Sequence, residues 1–312
     1  MKAAVLRAFD RDLEVEEIPL ALPRDREVLV RIRATGVCAS DLTTIRGKTG
    51  AELPLVPGHE AAGVVERVGP GVSKVKPGDR VVLSWAPNCG QCFYCQGSHP
   101  TLCDTYGFAV GSGGLWDGTR RLGPLDAPIA HYSCISSFAE QAVVPEAACI
   151  PIIDDIPFAV AALVGCAVTT GFGAVVNDAA LRPGESLAVI GIGGVGINAL
   201  LAAEVAGAGV ILAVDIDPAK KALALANGAT HFLNVADPDL TEKVRALTQS
   251  RGVDAAIECT GRPSAMATAY HLTRPAGHVV IVGIAPKGAD LTLPAIGFPG
   301  SKKRLIGSIY GG

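Results

Sequence analysis

Cys89, Cys92, Cys95 and Cys103 follow one another at spacings of x2, x2 and x7, and no other feature restricts the local fold so tightly. Between Asn88 and Thr105 the only large apolar side chains are Phe93, Tyr94 and Leu102. A segment so poor in apolar surface cannot hold a shape by burial. Four thiolates around Zn²⁺ can, supplying roughly 10–16 kcal/mol in small peptides. Four sulfurs also leave no open coordination position, so this site is expected to be structural. An iron–sulfur cluster is the main rival, but its usual x2, x2, x3 spacing with a following proline is absent. His99, in a loop before Pro100, is read as plain surface.

The remaining cysteines sharpen the picture. Nine in all is an odd number, and residues 1–11 do not read as a signal peptide. Thiols kept for metal in a reducing, cytoplasmic compartment are therefore expected. The 312 residues suit two domains. A net charge of −3 without any basic stripe argues against nucleic acid or anionic membrane as the main partner. Ile156 to Val176 and Ser186 to Ala203 are uncharged and long enough to cross a membrane. Pro157, Gly165, Gly171 and Gly173 interrupt the first, and a glycine-rich turn interrupts the second, so both are read as buried strands and helices of a water-soluble α/β protein.

Two rhythms divide the chain. Up to about residue 150, short alternating runs such as Val28–Ala34 and Gly63–Val68 read as strands. Turns at Gly69-Pro70-Gly71 and Pro77-Gly78-Asp79 separate such runs, suggesting an antiparallel, barrel-like domain. From about 180 the pattern becomes strand, glycine turn, helix, strand: strands at Ser186–Ile190, Gly209–Val214, Val253–Glu258 and His278–Val282, helices at Asn198–Ala206 and Pro218–Asn227, with Gly228 as a stop signal. That alternation predicts a doubly wound parallel sheet.

Within it, Gly191-Ile192-Gly193-Gly194-Val195-Gly196 is a G-x-G-x-x-G turn with a strand before it and a helix after. Gly191 is expected to make the tight turn, Gly193 to admit a pyrophosphate, and Gly196 to let helix pack on strand. Gly194 and Val195 belong to the same expected cofactor-binding turn, and the N-terminus of the helix that follows offers unpaired N–H groups to the phosphates. Asp215 stands at the end of the next strand, where such a turn is followed by a ribose-binding acid. A carboxylate there accepts ribose hydroxyls and repels a 2′-phosphate, which favours NAD over NADP. Lys220 and Thr170 complete the expected cofactor-contacting set, although Lys220 and Lys221 also fit a solvated helix face.

A second, dispersed set of residues carries a resemblance. Gly36-Val37-Cys38-Ala39-Ser40-Asp41, Pro57-Gly58-His59-Glu60-Ala61-Ala62-Gly63 and Gly165-Cys166 are similar to the three metal-ligand motifs of zinc-dependent medium-chain alcohol dehydrogenases. The four-cysteine lobe, Asp117-Gly118-Thr119 and the glycine turn fall in that family's order. The resemblance implies a GroES-like barrel catalytic domain over 1–167, with its zinc lobe at about 85–105, and a Rossmann domain over 168–312. It implies two Zn²⁺ per chain, one structural and one held by Cys38, His59 and Cys166, together with NAD and an alcohol or aldehyde substrate. The Cys₂His set is the familiar catalytic set of alcohol dehydrogenases, so this assignment comes from the resemblance. Asp41 resembles the carboxylate that orients the ligand histidine, Glu60 the acid behind the metal, and Ser40 the first proton acceptor. Trp85, Phe138 and Ile284 correspond to pocket-lining positions. Cys134, Cys149 and Cys259 are expected in the core.

Three positions depart from the family pattern. Thr43 stands where a relay histidine is frequent, Ala39 where a basic residue is, and Gly107 where the branch acting on the formaldehyde–glutathione adduct carries arginine. The expected activity is oxidation of an alcohol to an aldehyde or ketone with hydride transfer to NAD, by a homodimer or homotetramer. The alternatives are a thiol-adduct formaldehyde dehydrogenase and a non-catalytic zinc- and nucleotide-binding relative. Leu305–Tyr310 reads as the last Rossmann strand, and the chain is expected to stop short of the family's C-terminal return to the catalytic domain.

Overall fold

The computed structural model describes residues 1–312 apart from Phe108, and the chain divides into two compact units, Met1–Ala167 and Val168–Gly312.

The first unit is organised by a five-stranded antiparallel sheet in the order Gln141–Pro145, Glu27–Thr35, Ala61–Val68, Arg80–Leu83, Cys149–Pro151. Register shifts at Leu29/Val30 and Ile32/Ala34 mark irregularities in the central pair, the kind of insertion that bends a strand. Val28, Val30, Val65, Val81, Leu83 and Val144 line one buried core. The alternation of the sequence is thus spent on a sheet with one apolar face. A charged pair lies inside as well: Arg121 forks onto Glu27, both with no exposed side-chain surface. Arg121 also donates to Asp117 Oδ2 at 3.0 Å, so the segment after the cysteine lobe is tied to the start of a central strand.

In the second unit six parallel strands run in the order His231–Asn234, Val210–Asp215, Ser186–Ile190, Val253–Glu258, Thr273–Ile281, Arg304–Gly307. Numbered along this unit, the order is 3-2-1-4-5-6, that of a dinucleotide-binding sheet. Leu187 and Val189 enter the core on one face, Ala188 and Ile190 the core on the other. Burial on both sides is why this strand reads as an unbroken apolar run.

Three expectations need correction. The apolar stretch from Ile156, expected to be interrupted at its glycines, is not: after Pro157, Phe158–Asp178 is one helical run of 21 residues, apolar enough to cross a membrane, of which 56% of the most apolar window is buried. Its glycines do not break it, because each replaces a clash. A Cβ on Gly165 would lie 2.6 Å from the Leu83 carbonyl oxygen, and one on Gly171 2.4 Å from that of Val195. Packing outweighs the roughly 1 kcal/mol helix penalty of each glycine. Second, the helix expected from Asn198 begins at Gly194 and ends at Val205, since the glycine turn itself serves as its cap. Third, the last strand covers only Arg304–Gly307; Tyr310 has φ +58, which no extended strand tolerates.

Candidate metal centres and nucleotide site

The first array is built by three separate segments of the first unit. Cys38 caps the helix Ala39–Ile45. His59 and Glu60 lead into the strand Ala61–Val68. Cys166 lies in Val164–Val168, a π-helical stretch of the long helical run. One ligand atom from each of Cys38, His59, Glu60 and Cys166 falls within 4.8 Å of all the others. Gly36 makes room for the acid, since a Cβ there would sit 2.0 Å from Glu60 Oε2. Gly58 has φ +92, and a Cβ there would lie 2.7 Å from the Phe138 nitrogen. Only glycine serves at both requirements.

Asp41 holds this array from behind. Fully buried, it accepts hydrogen bonds from Cys38 N at 2.9 Å, Gly58 N at 3.2 Å and His59 Nδ1 at 3.1 Å. With Nδ1–H engaged, the Nε2 lone pair of His59 is the one presented to a ligand. Ser40 Oγ lies 3.4 Å from that Nε2. Trp85 and Tyr132 stand edge-on to the imidazole, at ring separations of 6.3 and 5.5 Å.

The donor groups perturb one another strongly. A hydrogen bond from Cys166 draws the Cys38 thiol down to about 3, and the same contact pushes Cys166 up. Against the cost of burial, Asp41 and Cys38 raise His59 to about 10. Glu60 is raised by burial and then by Cys38. Two sulfurs and a carboxylate packed this closely repel as anions, and a multivalent cation among them would favour their deprotonating together. Sulfur, sulfur and imidazole are a zinc donor set.

The second array is the cysteine lobe. Its four sulfurs lie within 4.8 Å of one another, with Cys89–Cys95 and Cys92–Cys103 each 3.9 Å apart. A tetrahedron with Zn–S bonds of about 2.3 Å has edges of about 3.8 Å, close to these two separations. The N–H groups of Cys92 and Cys89 point at the sulfurs of Cys89 and Cys103, each at 3.3 Å. His99 is exposed and outside the cluster. Cys134 and Cys149 are buried thiols that burial pushes up to about 12, and Cys259, also raised, packs against the second unit's core.

In the second unit, Gly191 has φ +94 and its Cβ would strike Thr260 at 2.3 Å; a Cβ on Gly196 would lie 2.1 Å from the Gly191 carbonyl oxygen. At Gly193 nothing stands within 4 Å of an added Cβ, so the turn opens there and closes on either side. Gly194 and Val195 begin the helix Gly194–Val205. Asp215 ends its strand and is 6% exposed. Burial opposes its charge, yet the N–H groups of Asp217 and Ile192 and the Lys220 ammonium hold its carboxyl below the usual range. Lys220 pairs with Asp215 at 2.9 Å instead of facing solvent alone. Thr170 Oγ1 is buried without a hydrogen-bond partner. Thr43 Oγ1 donates to the Ala39 carbonyl of its own helix at 2.9 Å. Ile284 is 76% exposed.

Residues 24–154 match the alcohol dehydrogenase GroES-like domain, and residues 194–312 match the zinc-binding dehydrogenase domain. The chain is 40% identical over 300 residues to the S-(hydroxymethyl)glutathione dehydrogenase of Paracoccus denitrificans, covering 93% of this chain and 80% of that protein. The chain belongs to the zinc-dependent medium-chain alcohol dehydrogenases. It is likewise 39% identical to the alcohol dehydrogenase class-3 of Cereibacter sphaeroides, over 93% of this chain and 80% of the relative. Among solved structures, the benzyl alcohol dehydrogenase of Acinetobacter calcoaceticus superimposes with a TM-score of 0.93 at 32% identity, over 99% of this chain and 84% of that one. An alcohol dehydrogenase zinc-binding domain protein from Burkholderia ambifaria gives 0.94 at 36% identity, with the same coverage. The expected GroES-like and Rossmann folds are therefore present in this dehydrogenase.

The sequence motifs pointed to every ligand candidate in both clusters. They passed over Tyr132 and the threonines beside it, Thr44 and Thr49. Tyr132 lies in no motif and is remote from His59 along the chain; only the fold brings its ring to the imidazole.

Proposed function

We propose that this dehydrogenase oxidises a small alcohol to an aldehyde or ketone with NAD as hydride acceptor, using Cys38, His59 and Cys166 as ligands of a catalytic zinc and Cys89, Cys92, Cys95 and Cys103 as ligands of a structural one. The carrying observation is the buried convergence of Cys38, His59, Glu60 and Cys166 within 4.8 Å, with Asp41 engaging His59 Nδ1. When bound, zinc supplies a Lewis acid that lowers the alcohol's pKa, and NAD supplies the hydride acceptor.

The protein's own groups do the rest. Asp41 fixes the imidazole tautomer and its direction. Ser40 Oγ takes the hydroxyl proton of the substrate. Glu60 stands within reach of the ligand cluster to exchange places with a departing donor. In the second unit Gly193 and the N–H groups of Gly194 and Val195 receive the pyrophosphate, and Asp215 receives the adenosine ribose with Lys220 beside it. Thr170 is assigned to the same cofactor-binding set. Trp85 and Phe138 of the first unit are assigned to the substrate pocket. The protein is read as a cytoplasmic homodimer or homotetramer.

Relatives named for the glutathione adduct of formaldehyde favour a second substrate reading, but Gly107 offers no cation to the adduct's carboxylates. The deciding experiment follows NADH absorbance with zinc-loaded protein across primary, secondary and benzylic alcohols and the glutathione adduct. The expected result is turnover with a plain alcohol and weak turnover with the adduct. Two zincs per chain and no NAD reduction by any substrate would overturn the reading in favour of a binding protein.

A further inference from the structure

The Gly191–Gly196 turn and Asp215 lie at the carboxyl ends of the parallel strands. At the other end of the same sheet the second unit holds a cavity of about 230 Å³. Gly252, Thr273 and Lys303, at the starts of three neighbouring strands, line it. Arg245 and Arg251 bring two further cations, His271 an imidazole and Ser301 a hydroxyl, and no carboxylate is among the lining residues. Two neighbouring cations do carry acids. Lys243, on the helix of Arg245, sits 2.7 Å from Asp237, and Arg274, beside Thr273, sits 2.6 Å from Asp254. Among the described residues Arg245, Arg251 and Lys303 pair with no acid, in a chain whose net charge is −3.

The backbone sets these groups in place. Gln249, Ser250 and Gly252 have φ of +51, +64 and +95, and Arg251 rides on that left-handed turn. Thr248 Oγ1 accepts from Gly252 N at 3.0 Å and closes it. Lys302 is also left-handed, at φ +52, and on either side of it Ser301 and Lys303 both line the cavity. Such conformations are costly for residues other than glycine and persist only where the surroundings hold them. The Lys303 ammonium donates to the Tyr270 carbonyl at 2.6 Å and lies 4.3 Å from the centre of that ring, which leaves donors to spare. Burial, and then the charge of Arg245, push its pKa down; an anion in the cavity would offset both. Ser301 Oγ is buried without a hydrogen-bond partner among the described residues, the kind of unmet group that a ligand satisfies.

We propose that this cavity is a phosphate-binding site, for inorganic phosphate or a small phosphate ester, separate from the nucleotide turn. Guanidinium, ammonium and hydroxyl donors from several elements suit the many acceptor oxygens of a phosphate. The volume lies below the roughly 300–1,000 Å³ of pockets that enclose drug-sized ligands, so a second dinucleotide is too large. Phosphate held there ties the helix Leu240–Leu247 and the turn of Arg251 to the start of the edge strand Arg304–Gly307, and so stabilises the folded unit by linkage.

The test titrates zinc-loaded, full-length protein by calorimetry with inorganic phosphate and, separately, with glycerol 3-phosphate, against sodium chloride at matched ionic strength. The parent for comparison is Gly193→Asp, which sets a carboxylate in the open nucleotide turn, where nothing lies within 4 Å of an added Cβ, and so removes that rival anion site. Saturable phosphate binding should persist in it. In that background Arg245→Gln and Lys303→Met should each weaken phosphate about tenfold, as expected for one charge-assisted hydrogen bond, and Ser301→Ala about threefold. Lys221→Gln, the same change of charge outside the cavity lining, should leave the affinity as it was. Phosphate should raise the thermal midpoint of the parent but not that of Arg245→Gln, whose side chain is exposed and can be replaced without unfolding the chain. Tighter binding of glycerol 3-phosphate than of phosphate would assign an ester as the ligand, and the reverse order free phosphate. Unchanged affinity in both Arg245→Gln and Lys303→Met, loss of all binding in Gly193→Asp, or equal heats with chloride would each overturn the site. None of these results bears on the dehydrogenase reading.

Discussion

The two metal-ligand clusters of the first unit are built in opposite ways. The cysteine lobe draws its four sulfurs from one short stretch, 89–103, and its aromatic side chain Phe93 is 79% exposed. Apart from short-range backbone hydrogen bonds, the four sulfurs are what converges inside that loop among the described residues. The Cys38–His59–Cys166 cluster draws its donors from three segments widely separated along the chain and sets them on packed elements, with Asp41 and Thr44 at 0% exposure. A metal bound by the first cluster would shape its loop, whereas the frame of the second is set by packed elements. A cluster whose frame survives without metal can leave one coordination position to substrate, because its geometry does not depend on saturating the ion.

The sharpest break of this comparison is Cys38→Ser. Losing a metal's Lewis acidity removes several kcal/mol of transition-state stabilisation, so activity should fall by about a thousandfold. Metal analysis should give one zinc in place of two, with the thermal midpoint nearly unchanged. A large loss of midpoint would show that this cluster too is held together by its ion.

Next in size is Asp41→Asn, which keeps the side-chain shape and weakens the grip on His59 Nδ1. Metal affinity at this cluster should fall about 10–100-fold, measured by competition with a chelator, while the lobe keeps its zinc. Equal losses at both clusters would show that Asp41 supports the whole unit and not this histidine alone.

Cys95→Ser attacks the other side. The lobe should lose its zinc and become susceptible to limited proteolysis between residues 88 and 105, whereas the strands of the five-stranded sheet stay protected in amide exchange. Loss of sheet protection would mean that the lobe is integral to the core.

The smallest effect is expected from Phe93→Ser. With so little of the ring buried, stability should change by no more than about 0.5 kcal/mol, read by denaturant unfolding of the zinc-loaded protein. A cost of ~2 kcal/mol would show that apolar packing, and not sulfur ligation, holds the lobe.

The same contrast explains what could be read from the chain alone. Local chemistry is legible in order: the cysteine spacing, the strand–glycine–helix pattern and Asp215 all depend on near neighbours in the chain. The strands at Ser186–Ile190 and Val253–Glu258 fall at the residues their apolar runs indicated. The helical run Phe158–Asp178 was misread because its glycines look like breakers, and only their close approach to the Leu83 and Val195 carbonyls shows why glycine is needed there. The buried fork of Arg121 on Glu27 had no signature at all, since the two residues are far apart in the chain and neither belongs to a recognisable motif.

For this protein the order of residues by itself settled the kind of fold, the closed sulfur site and the glycine turn, because each follows from short-range geometry and donor chemistry. Tertiary structure decided the rest. It seated Asp41 behind His59, turned Thr43 back onto its own helix and brought Tyr132 beside both His59 and Thr44. Such contacts form only after the entropy of closing long loops has been overcome by packing elsewhere, so no local pattern announces them.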